Sequence, residues 1–410
     1  MIPKYVFIWM TTLHRSTVSL YQRHTVSIGV RKNGILNLQY KNRQPNYTQS
    51  MINLSSSADL PSPRPSILES EIQLTSPKSA TVKFFQSLAK KSSFRAENQM
   101  TIVEGHRIMI DILSNPKSRS LIDRILVCRE ALIQHELGKQ LLILFDEIQN
   151  HSASSLDTQS CDIILTTPEV VEAACDTVTP QGIVAAIHLP PSYTPKTNLT
   201  THLTSTHDNV EVATTATKLT TSSLKQRNRL FLILDGISDP GNLGTLLRSS
   251  LAVHIEAVFF LSHCCDYSSP KAVRSAMGAT FFVPTCTVQS WEECLVLLHD
   301  CGVSNMNMYA ATMETSFSLS SQSYYDIDWT GGGSEAITCE PMALIIGKEG
   351  QGLSRDVRHA VTCGNIRSVH VPMEDGIESL NAAVCGSIIM FEYHRQQLAK
   401  QKMLNTGNDP

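Results

Sequence analysis

Short apolar runs alternate with helix-periodic stretches over most of the chain after residue 80. Residues 230–234 form one such run, bounded by turn residues, which predicts a buried strand. Gly, Pro and Asp residues follow, and Leu243, Leu246 and Leu247 then recur at helical spacing. This pattern predicts a strand, a turn and a helix, and the helix should begin near Asn242, because Asn is a good capping residue.

The same alternation predicts two α/β domains. In residues 81–190, helices are expected at 84–89 and 106–113, and strands at 100–103, 121–127, 141–145 and 163–165. In residues 228–400, strands are expected at 257–261, 281–283, 309–312 and 343–346, and helices at 271–277 and 291–299. A final helix to about residue 397 should pack along one stripe, formed by Leu380, Ala383, Val384, Ser387, Ile388 and Phe391. Residues 314–340 are polar and Gly-rich, which predicts a surface loop.

Basic and polar stretches flank these domains. Residues 1–58 contain Lys and Arg among Ser, Thr and apolar residues but no acidic residue, which is typical of a mitochondrial transit peptide. A disordered basic tail that binds RNA is the alternative. Residues 59–80 and 191–227, rich in Ser with Pro or Thr, are predicted linkers, and residues 401–410 a tail. No apolar run is long enough to span a membrane.

Composition limits the classes of partner. The net charge is −3, so RNA binding would depend on local basic patches and not on a global positive field. Eleven cysteines occur without a Cys-x-x-Cys pair or a Cys/His ligand spacing. We therefore expect reduced thiols, with neither a disulfide framework nor a metal site.

Three motifs carry the candidate chemistry. The first is Asn-x-Gly-x-x-x-Arg, from Asn242 to Arg248; the second is Gly-x-Glu-Gly-x-Gly, from Gly347 to Gly352; the third is Ser-Leu-Asn, beginning at Ser379. Alone, each has an ordinary structural explanation as a helix cap, a surface cation or a turn. The glycine spacing of the second motif matches neither a dinucleotide-binding loop nor a P-loop. In this order, the three motifs resemble the SpoU family of RNA ribose methyltransferases, within the SPOUT superfamily.

The resemblance implies an active site that uses S-adenosylmethionine and no metal. It identifies Arg248 as the catalytic arginine. Because a guanidinium normally stays protonated, two roles remain open: general base, or stabiliser of a developing alkoxide. Hydrogen bonds that hold Arg248 and the ribose are expected from Asn242, Glu349, Ser379 and Asn381. The residues expected to bind the cofactor, by the same resemblance, are Thr312, Gly347, Gly352, Val371, Pro372 and Leu380.

The resemblance also implies an architecture. The second domain should be a SPOUT domain with a parallel sheet, a deep trefoil knot over residues 346–397, and a homodimeric assembly. The first should be a small ribosomal-protein-like domain that binds the RNA substrate. Its candidate phosphate contacts are Lys83, Lys90, Lys91, Arg95 and Arg107. An ordinary solvated face is the alternative for each of them.

These expectations lead to one functional hypothesis with two alternatives. The chain is expected to methylate a ribose 2′-hydroxyl in large-subunit rRNA in the mitochondrial matrix, on a guanosine. Modification of tRNA by the same chemistry is the first alternative. The second is a ribosome-assembly factor that binds rRNA without catalysis, although the presence of Arg248, Glu349 and Asn381 argues against it.

Overall fold

The computed structural model describes residues 67–151, 161–195, 228–312, 321–331, 340–376 and 379–406. The predicted transit segment, residues 1–58, lies outside this part of the chain. So do residues 196–227 of the second predicted linker and the end of the predicted tail. None of the described helices is long and apolar enough to cross a lipid bilayer.

The first domain is a four-stranded mixed sheet with helices. Its strands are β1 (Met100–Glu104), β2 (Ile122–Cys128), β3 (Asp162–Thr166) and β4 (Ile183–His188). Its helices are α1 (Ala80–Lys90), α2 (Ser92–Asn98), α3 (His106–Ser114), α4 (Pro116–Arg119), α5 (Arg129–Gln134), α6 (Gly138–His151) and α7 (Pro168–Ala174). The strand order is β1-β4-β2-β3, in which only β2 and β3 run parallel.

The second domain is a seven-stranded sheet whose neighbouring strands are all parallel. Its strands are β5 (Leu230–Asp235), β6 (Ala257–Phe260), β7 (Thr285–Thr287), β8 (Met308–Ala311), β9 (Gln322–Ser323), β10 (Met342–Gly347) and β11 (Arg367–His370), in the order β7-β6-β5-β10-β8-β11-β9. Its helices are α8 (Pro240–Val253), α9 (Pro270–Ser275), α10 (Trp291–Asp300), α11 (Arg355–Thr362) and α12 (Ala382–Thr406). The predicted parallel α/β sheet is thus confirmed.

Strand register brings the three motifs to one edge of this sheet. Gly347, the last residue of β10, pairs with Asp235, the last residue of β5. On the other side of β10, Ile346 pairs with Ala311, which in turn pairs with Val369 on β11. Because parallel strands end on the same side of a sheet, the segments that follow β5, β8, β10 and β11 all emerge there. The carboxyl edge of an open α/β sheet is the usual place for a ligand.

Two predicted strands are wrong. Residues 141–145 lie inside α6, where Leu141, Phe145 and Ile148 are buried at helical spacing while Ile143 is 60% exposed. A short apolar run cannot by itself distinguish a strand from a helix, and here helical packing decided. Residues 281–283 begin with the last residue of a 3₁₀ helix, Ala279–Phe281, and the edge strand β7 comes later, at Thr285–Thr287.

Two predictions about surfaces also need correction. The stretch expected to be a surface loop contributes β9 to the sheet and buries Trp329 completely. On the final helix, the buried positions include Ile389, Met390 and Tyr393, whereas Val384 is 48% exposed and Phe391 50% exposed. Ala383 of the predicted stripe is buried, but Val384 and Phe391 of the same stripe face outward, so the prediction is only partly right.

The predicted second linker starts later than residue 191. The Tyr193 backbone N–H donates to the Thr285 carbonyl at 2.7 Å, and the Tyr193 ring packs edge-on against Phe231 and Phe259 in the second domain. Burial raises the pKa of the Tyr193 hydroxyl, which lies 3.7 Å from Cys301 Sγ. Residues 191–195 are therefore part of the packed structure.

Candidate active site

Helix α8 begins directly after the first motif's turn. Its cap is Asp239, whose Oδ1 accepts the Asn242 backbone N–H at 2.9 Å, and Pro240 is its first residue. The prediction that Asn242 caps this helix is therefore wrong. Pro is favoured at the first helical position because its missing N–H is not needed there. Since Asp239 supplies the cap, the Asn242 side chain is available for other contacts.

The Asn242 side chain joins the three motifs in one hydrogen-bonded cluster. Asn242 Nδ2 donates to Glu349 Oε1 at 2.9 Å, and Asn242 Oδ1 accepts from Asn381 Nδ2 at 3.0 Å. Asn381 Nδ2 also donates to Glu349 Oε1. Three motifs that are distant in sequence therefore meet at one place in the structure.

The same cluster fixes the start of α12. Glu349 Oε1 accepts the Ala382 backbone N–H at 3.0 Å. Asn381 Oδ1 accepts the backbone N–H groups of Ala383 and Val384 at 3.0 and 3.2 Å, so Asn381 is the cap of this helix. Ser379, for which capping was the alternative role, is exposed and lies before the cap.

Arg248 stands apart from this cluster. It lies on α8 after Asn242, its side chain is exposed, and it forms no hydrogen bond or ion pair with the described residues. The prediction that Asn242, Glu349, Ser379 and Asn381 hold Arg248 is therefore wrong for this structure: Glu349 bonds to the two Asn side chains instead. The Arg248 guanidinium is free to meet an anionic ligand.

A cavity of about 310 Å³ opens beside the cluster, at the carboxyl edge of the sheet. This volume is within the range of pockets that hold small molecules. Five of the six predicted cofactor residues line it: Thr312, Gly347, Gly352, Val371 and Leu380. Pro372, the sixth, is not in the lining. The sequence analysis missed other lining residues, which include Ile346, Lys348, Gln351, His370, Met373 and Cys385.

The glycine-rich turn forms one wall of the cavity. Lys348 and Gly352 exchange backbone hydrogen bonds at 2.9 and 2.8 Å, which closes the turn. A Cβ at Gly347 would lie 2.6 Å from the Gly352 carbonyl oxygen, so a side chain does not fit at residue 347. Gly352 has a φ of +69°, in the left-handed region that favours glycine. At Gly347 and Gly352, the backbone can therefore approach a ligand closely.

Asp235 supports this turn from below and was missed by the sequence analysis. It is 3% exposed, and its Oδ2 accepts the Ser354 backbone N–H at 2.7 Å. Burial raises the pKa of the Asp235 carboxyl, while the bond from Ser354 opposes this shift. An Asp immediately after a buried strand was a sequence signal for such a role, since a charged residue is seldom fully buried without partners.

We expect Asp235→Ala to loosen the glycine-rich turn. The Ser354 N–H would lose its acceptor, which should reduce the free energy of unfolding by about 1 kcal/mol and weaken ligand binding in the cavity. Thermal denaturation and calorimetric titration would measure both effects. Asp235→Asn is the matched control, because it keeps a carbonyl oxygen without the buried charge. Equal ligand affinity in Asp235→Ala and the unmodified protein would contradict this role.

The described residues contain no group of His, Cys, Asp and Glu side chains arranged to hold a metal ion. The cavity does contain one thiol, Cys385, and burial raises its pKa to about 11. That thiol is therefore neutral at physiological pH and a weak nucleophile.

The candidate RNA contacts of the first domain separate into two kinds. Lys83, Lys90, Lys91 and Arg107 are exposed, and Arg107 pairs only loosely with Asp111, at 3.5 Å. Arg95 is 5% exposed, and its guanidinium pairs with Asp266 of the second domain. The prediction that Arg95 contacts RNA is therefore wrong, because a buried and paired guanidinium cannot reach a phosphate.

Comparison with protein families identifies the second domain. Residues 229–391 match the model of the SpoU rRNA Methylase family. This domain belongs to the SpoU family. The predicted resemblance is confirmed, and the chain is an RNA methyltransferase of the SpoU type. The three motifs at the cavity lie within the matched residues.

Individual proteins agree with the family. The chain is 26% identical over 335 residues to rRNA methyltransferase 3A, mitochondrial, of Danio rerio, covering 76% of this chain and 67% of that protein. It is 33% identical over 173 residues to the 23S rRNA (guanosine-2′-O-)-methyltransferase RlmB of Xanthomonas campestris, covering 42% of this chain and 61% of that one. The AdoMet-bound rRNA methyltransferase of Sinorhizobium meliloti superposes with a TM-score of 0.56 at 20% identity, covering 78% of this chain and 97% of that one, which establishes a shared fold.

Proposed function

We propose that this protein transfers a methyl group from S-adenosylmethionine to a ribose 2′-hydroxyl in mitochondrial large-subunit rRNA, on a guanosine. The observation that carries the proposal is the convergence of three distant motifs on one cavity. Asn242, Glu349 and Asn381 bond to one another beside it, although they lie far apart in sequence. Arg248, an exposed cation without a hydrogen bond or ion pair to the described residues, lies on the same helix as Asn242.

The cavity suits this cofactor. Residues of three loops line it, among them Gly347, Val371 and Leu380, and a side chain does not fit at residue 347. Such a wall can accept hydrogen bonds from an adenine and a ribose. When bound, S-adenosylmethionine would supply a methyl group activated by the sulfonium charge. Thr312 and Ser379 line the same cavity and offer hydroxyl groups.

The protein's own residues would then act by position and charge. The Asn242, Glu349 and Asn381 cluster fixes the start of α12 against that of α8, so the cavity wall keeps its shape. Arg248 would bind the phosphate next to the target ribose and stabilise the negative charge that develops on its 2′-oxygen. Orientation of the two reactants supplies much of the rate enhancement in such a site.

The RNA class and the location rest on relatives. A relative that aligns over most of this chain is named a mitochondrial rRNA methyltransferase, and another is named a guanosine-2′-O-methyltransferase of 23S rRNA. The acid-free basic stretch at residues 1–58 independently supports import into the matrix. Exposed Lys83, Lys90, Lys91 and Arg107 on the first domain are the proposed RNA contacts.

Methyl mapping tests the proposal directly. Ribose methylation would be mapped in mitochondrial rRNA and tRNA from cells with and without the gene, and purified protein would be tested on unmodified transcripts of both. Loss of one rRNA guanosine methylation, restored by the purified protein, is the expected result. Loss of a tRNA methylation alone would overturn the rRNA assignment. A fusion of residues 1–58 to a reporter that stayed in the cytosol would overturn the location.

We also propose a homodimer, with the deep trefoil knot over residues 346–397 that the resemblance implies. The outer side of α12 supports the dimer, because Val384, Phe391 and Leu398 are exposed at seven-residue spacing on one face. Helix α8 packs against α12 and adds exposed Leu251. Apolar side chains repeated every seven residues suit packing against a second helix.

Glutamate on this face is expected to separate the protomers. Val384→Glu with Phe391→Glu would place charges in an apolar contact and raise the dimer dissociation constant at least about 100-fold. Light scattering during gel filtration would measure the molecular mass. Val296→Glu is the matched control, since Val296 is 59% exposed on α10. A monomeric unmodified protein, or a double variant as dimeric as the control, would contradict the proposal.

A further inference from the structure

The first domain packs directly against the second one through residues 266–281, which we call the shared segment. Although the shared segment belongs to the second domain in sequence, its residues Val273 and Phe281 lie in the apolar core of the first domain. Close packing continues at Gly278, where a Cβ would lie 2.9 Å from Ile108 Cγ2 of α3. Two domains that share apolar core residues do not move freely relative to one another.

A buried ion pair adds to this packing. Arg95 donates from Nε and Nη2 to Asp266 Oδ2 at 2.9 and 2.5 Å, and from Nη1 to the Leu88 carbonyl at 2.7 Å. Arg95 is 5% exposed and the Asp266 side chain 29%. A guanidinium so buried needs its partner, because an unpaired charge in this position would be strongly destabilising.

Asp266 connects the ion pair to the edge of the first domain's sheet. Its Oδ1 accepts the Ser268 backbone N–H at 2.8 Å and the Ser268 hydroxyl at 2.5 Å. The Ser268 carbonyl accepts the Thr101 hydroxyl of β1 at 2.5 Å. Farther along the shared segment, Arg274 Nη2 lies 3.4 Å from Asp176 Oδ2, in the loop after α7. Both ends of α9 are thus tied to the first domain.

The opposite side of α9 contacts the start of α8. Ser275 Oγ donates to the Gly241 carbonyl at 2.7 Å. A Cβ at Gly244 would lie only 2.5 Å from the Ala272 carbonyl oxygen, so α8 and α9 touch through their backbones. Lys271 Nζ lies 3.5 Å from Oδ2 of Asp239, the cap of α8. A shift of α9 would therefore displace the helix that carries Asn242.

We propose that the shared segment is a rigid connection that fixes the first domain relative to α8, and that Asp266 is its main positioning residue for substrate selection. Resting on the proposed function, this inference means that RNA held by the first domain presents one ribose to Arg248 at a set distance. Residues 191–227 were predicted to be a linker, and a domain joined only by a flexible linker would act by raising the local concentration of RNA. A fixed domain also selects orientation.

The test compares substitutions at two aspartates, Asp266 and Asp123, in the full-length protein. Asp266→Ala removes the acceptor of both Arg95 and Ser268, while Asp266→Asn keeps a carbonyl acceptor. Asp123→Ala is the matched control, because Asp123 is 30% exposed and pairs with Arg124 of the same domain. Scanning calorimetry would show whether the domains melt together. Methylation kinetics on the rRNA transcript, with mapping of every methylated nucleotide, would measure substrate selection.

The expected result is one melting transition in the unmodified protein and two in Asp266→Ala. The KM for the rRNA transcript should rise at least about tenfold, with methylation spread to neighbouring nucleotides, while the dissociation constant of S-adenosylmethionine stays the same. Asp266→Asn should recover part of the loss. A merely structural role would lower stability without changing the methylated nucleotide.

Three results would overturn the inference. These are two transitions in the unmodified protein, an rRNA KM for Asp266→Ala equal to that of Asp123→Ala, and an unchanged methylation map. If the unmodified protein methylated no RNA, the proposed function would fail instead. The melting behaviour of Asp266→Ala against Asp123→Ala would still decide whether the two domains are fixed to one another.

Discussion

Arg248→Ala should reduce the turnover of methyl transfer by about 10²- to 10³-fold, the usual effect of removing one group that stabilises developing charge. Its guanidinium has no partner among the described residues, so the substitution leaves no internal bond unsatisfied. Arg248 also lies outside the lining of the cavity. The affinity for S-adenosylmethionine should therefore stay the same. Radiolabelled methyl transfer to an rRNA transcript and calorimetric titration of the cofactor would measure the two quantities.

Two further variants show what causes the loss of turnover in Arg248→Ala. Arg355→Ala is the matched control, since Arg355 is exposed at the start of α11 and has no assigned role. Arg248→Lys keeps the positive charge but not the planar group, so partial activity would favour charge stabilisation over a geometry that only a guanidinium supplies. An Arg248→Ala rate equal to that of Arg355→Ala would leave the assembly-factor alternative as the better account.

Glu349→Ala should impair both catalysis and cofactor binding. One carboxylate oxygen accepts hydrogen bonds from Asn242, Asn381 and the Ala382 backbone, and Glu349 itself lines the cavity. Without this acceptor, the starts of α8 and α12 lose their common anchor. Misplacement by about 1 Å can cost about 10²-fold in rate, and we expect at least that loss. The measurements are the methylation rate and the dissociation constant of S-adenosylmethionine.

The conservative variant separates charge from geometry. Glu349→Gln keeps one carbonyl acceptor in place of the carboxylate and should retain more activity than Glu349→Ala. Thermal denaturation would be measured on both, because the cluster is partly exposed and its loss should change stability little. Full cofactor affinity in Glu349→Ala would show that the cluster does not shape the cavity.

The contrast between Arg248 and Glu349 illustrates how function divides across this site. Among the described residues, no hydrogen bond or ion pair is lost with the Arg248 side chain, whereas Glu349 connects two helices and a turn. Arg248→Ala should lower the methylation rate without changing the affinity for S-adenosylmethionine, whereas Glu349→Ala should lower both. This difference distinguishes a group that acts on the substrate from one that shapes the site.

The sequence determined the local chemistry of this protein. Its buried apolar runs predicted β5, β6, β8 and β10, and the family resemblance of three motifs assigned Asn242, Glu349 and Asn381 to one site, although it gave them Arg248 and the ribose as partners and not one another. The strand predictions succeed because periodicity and turn residues act over a few neighbouring positions. The role of Asp235 could have been predicted from the sequence too, since a charged residue at the end of a buried strand needs a partner.

Only the tertiary structure decided which side chains are exposed to a ligand and which are buried with a partner. Arg95 and Arg248 are both arginines on helices, yet the first is buried against Asp266 and the second is exposed. Residues 141–145 were predicted to form a strand but pack as a helix, and Phe391 was predicted to be buried but faces outward. Each of these outcomes depends on a contact with residues distant in sequence. A local pattern states what a residue can do, whereas long-range packing determines the partner with which it does so.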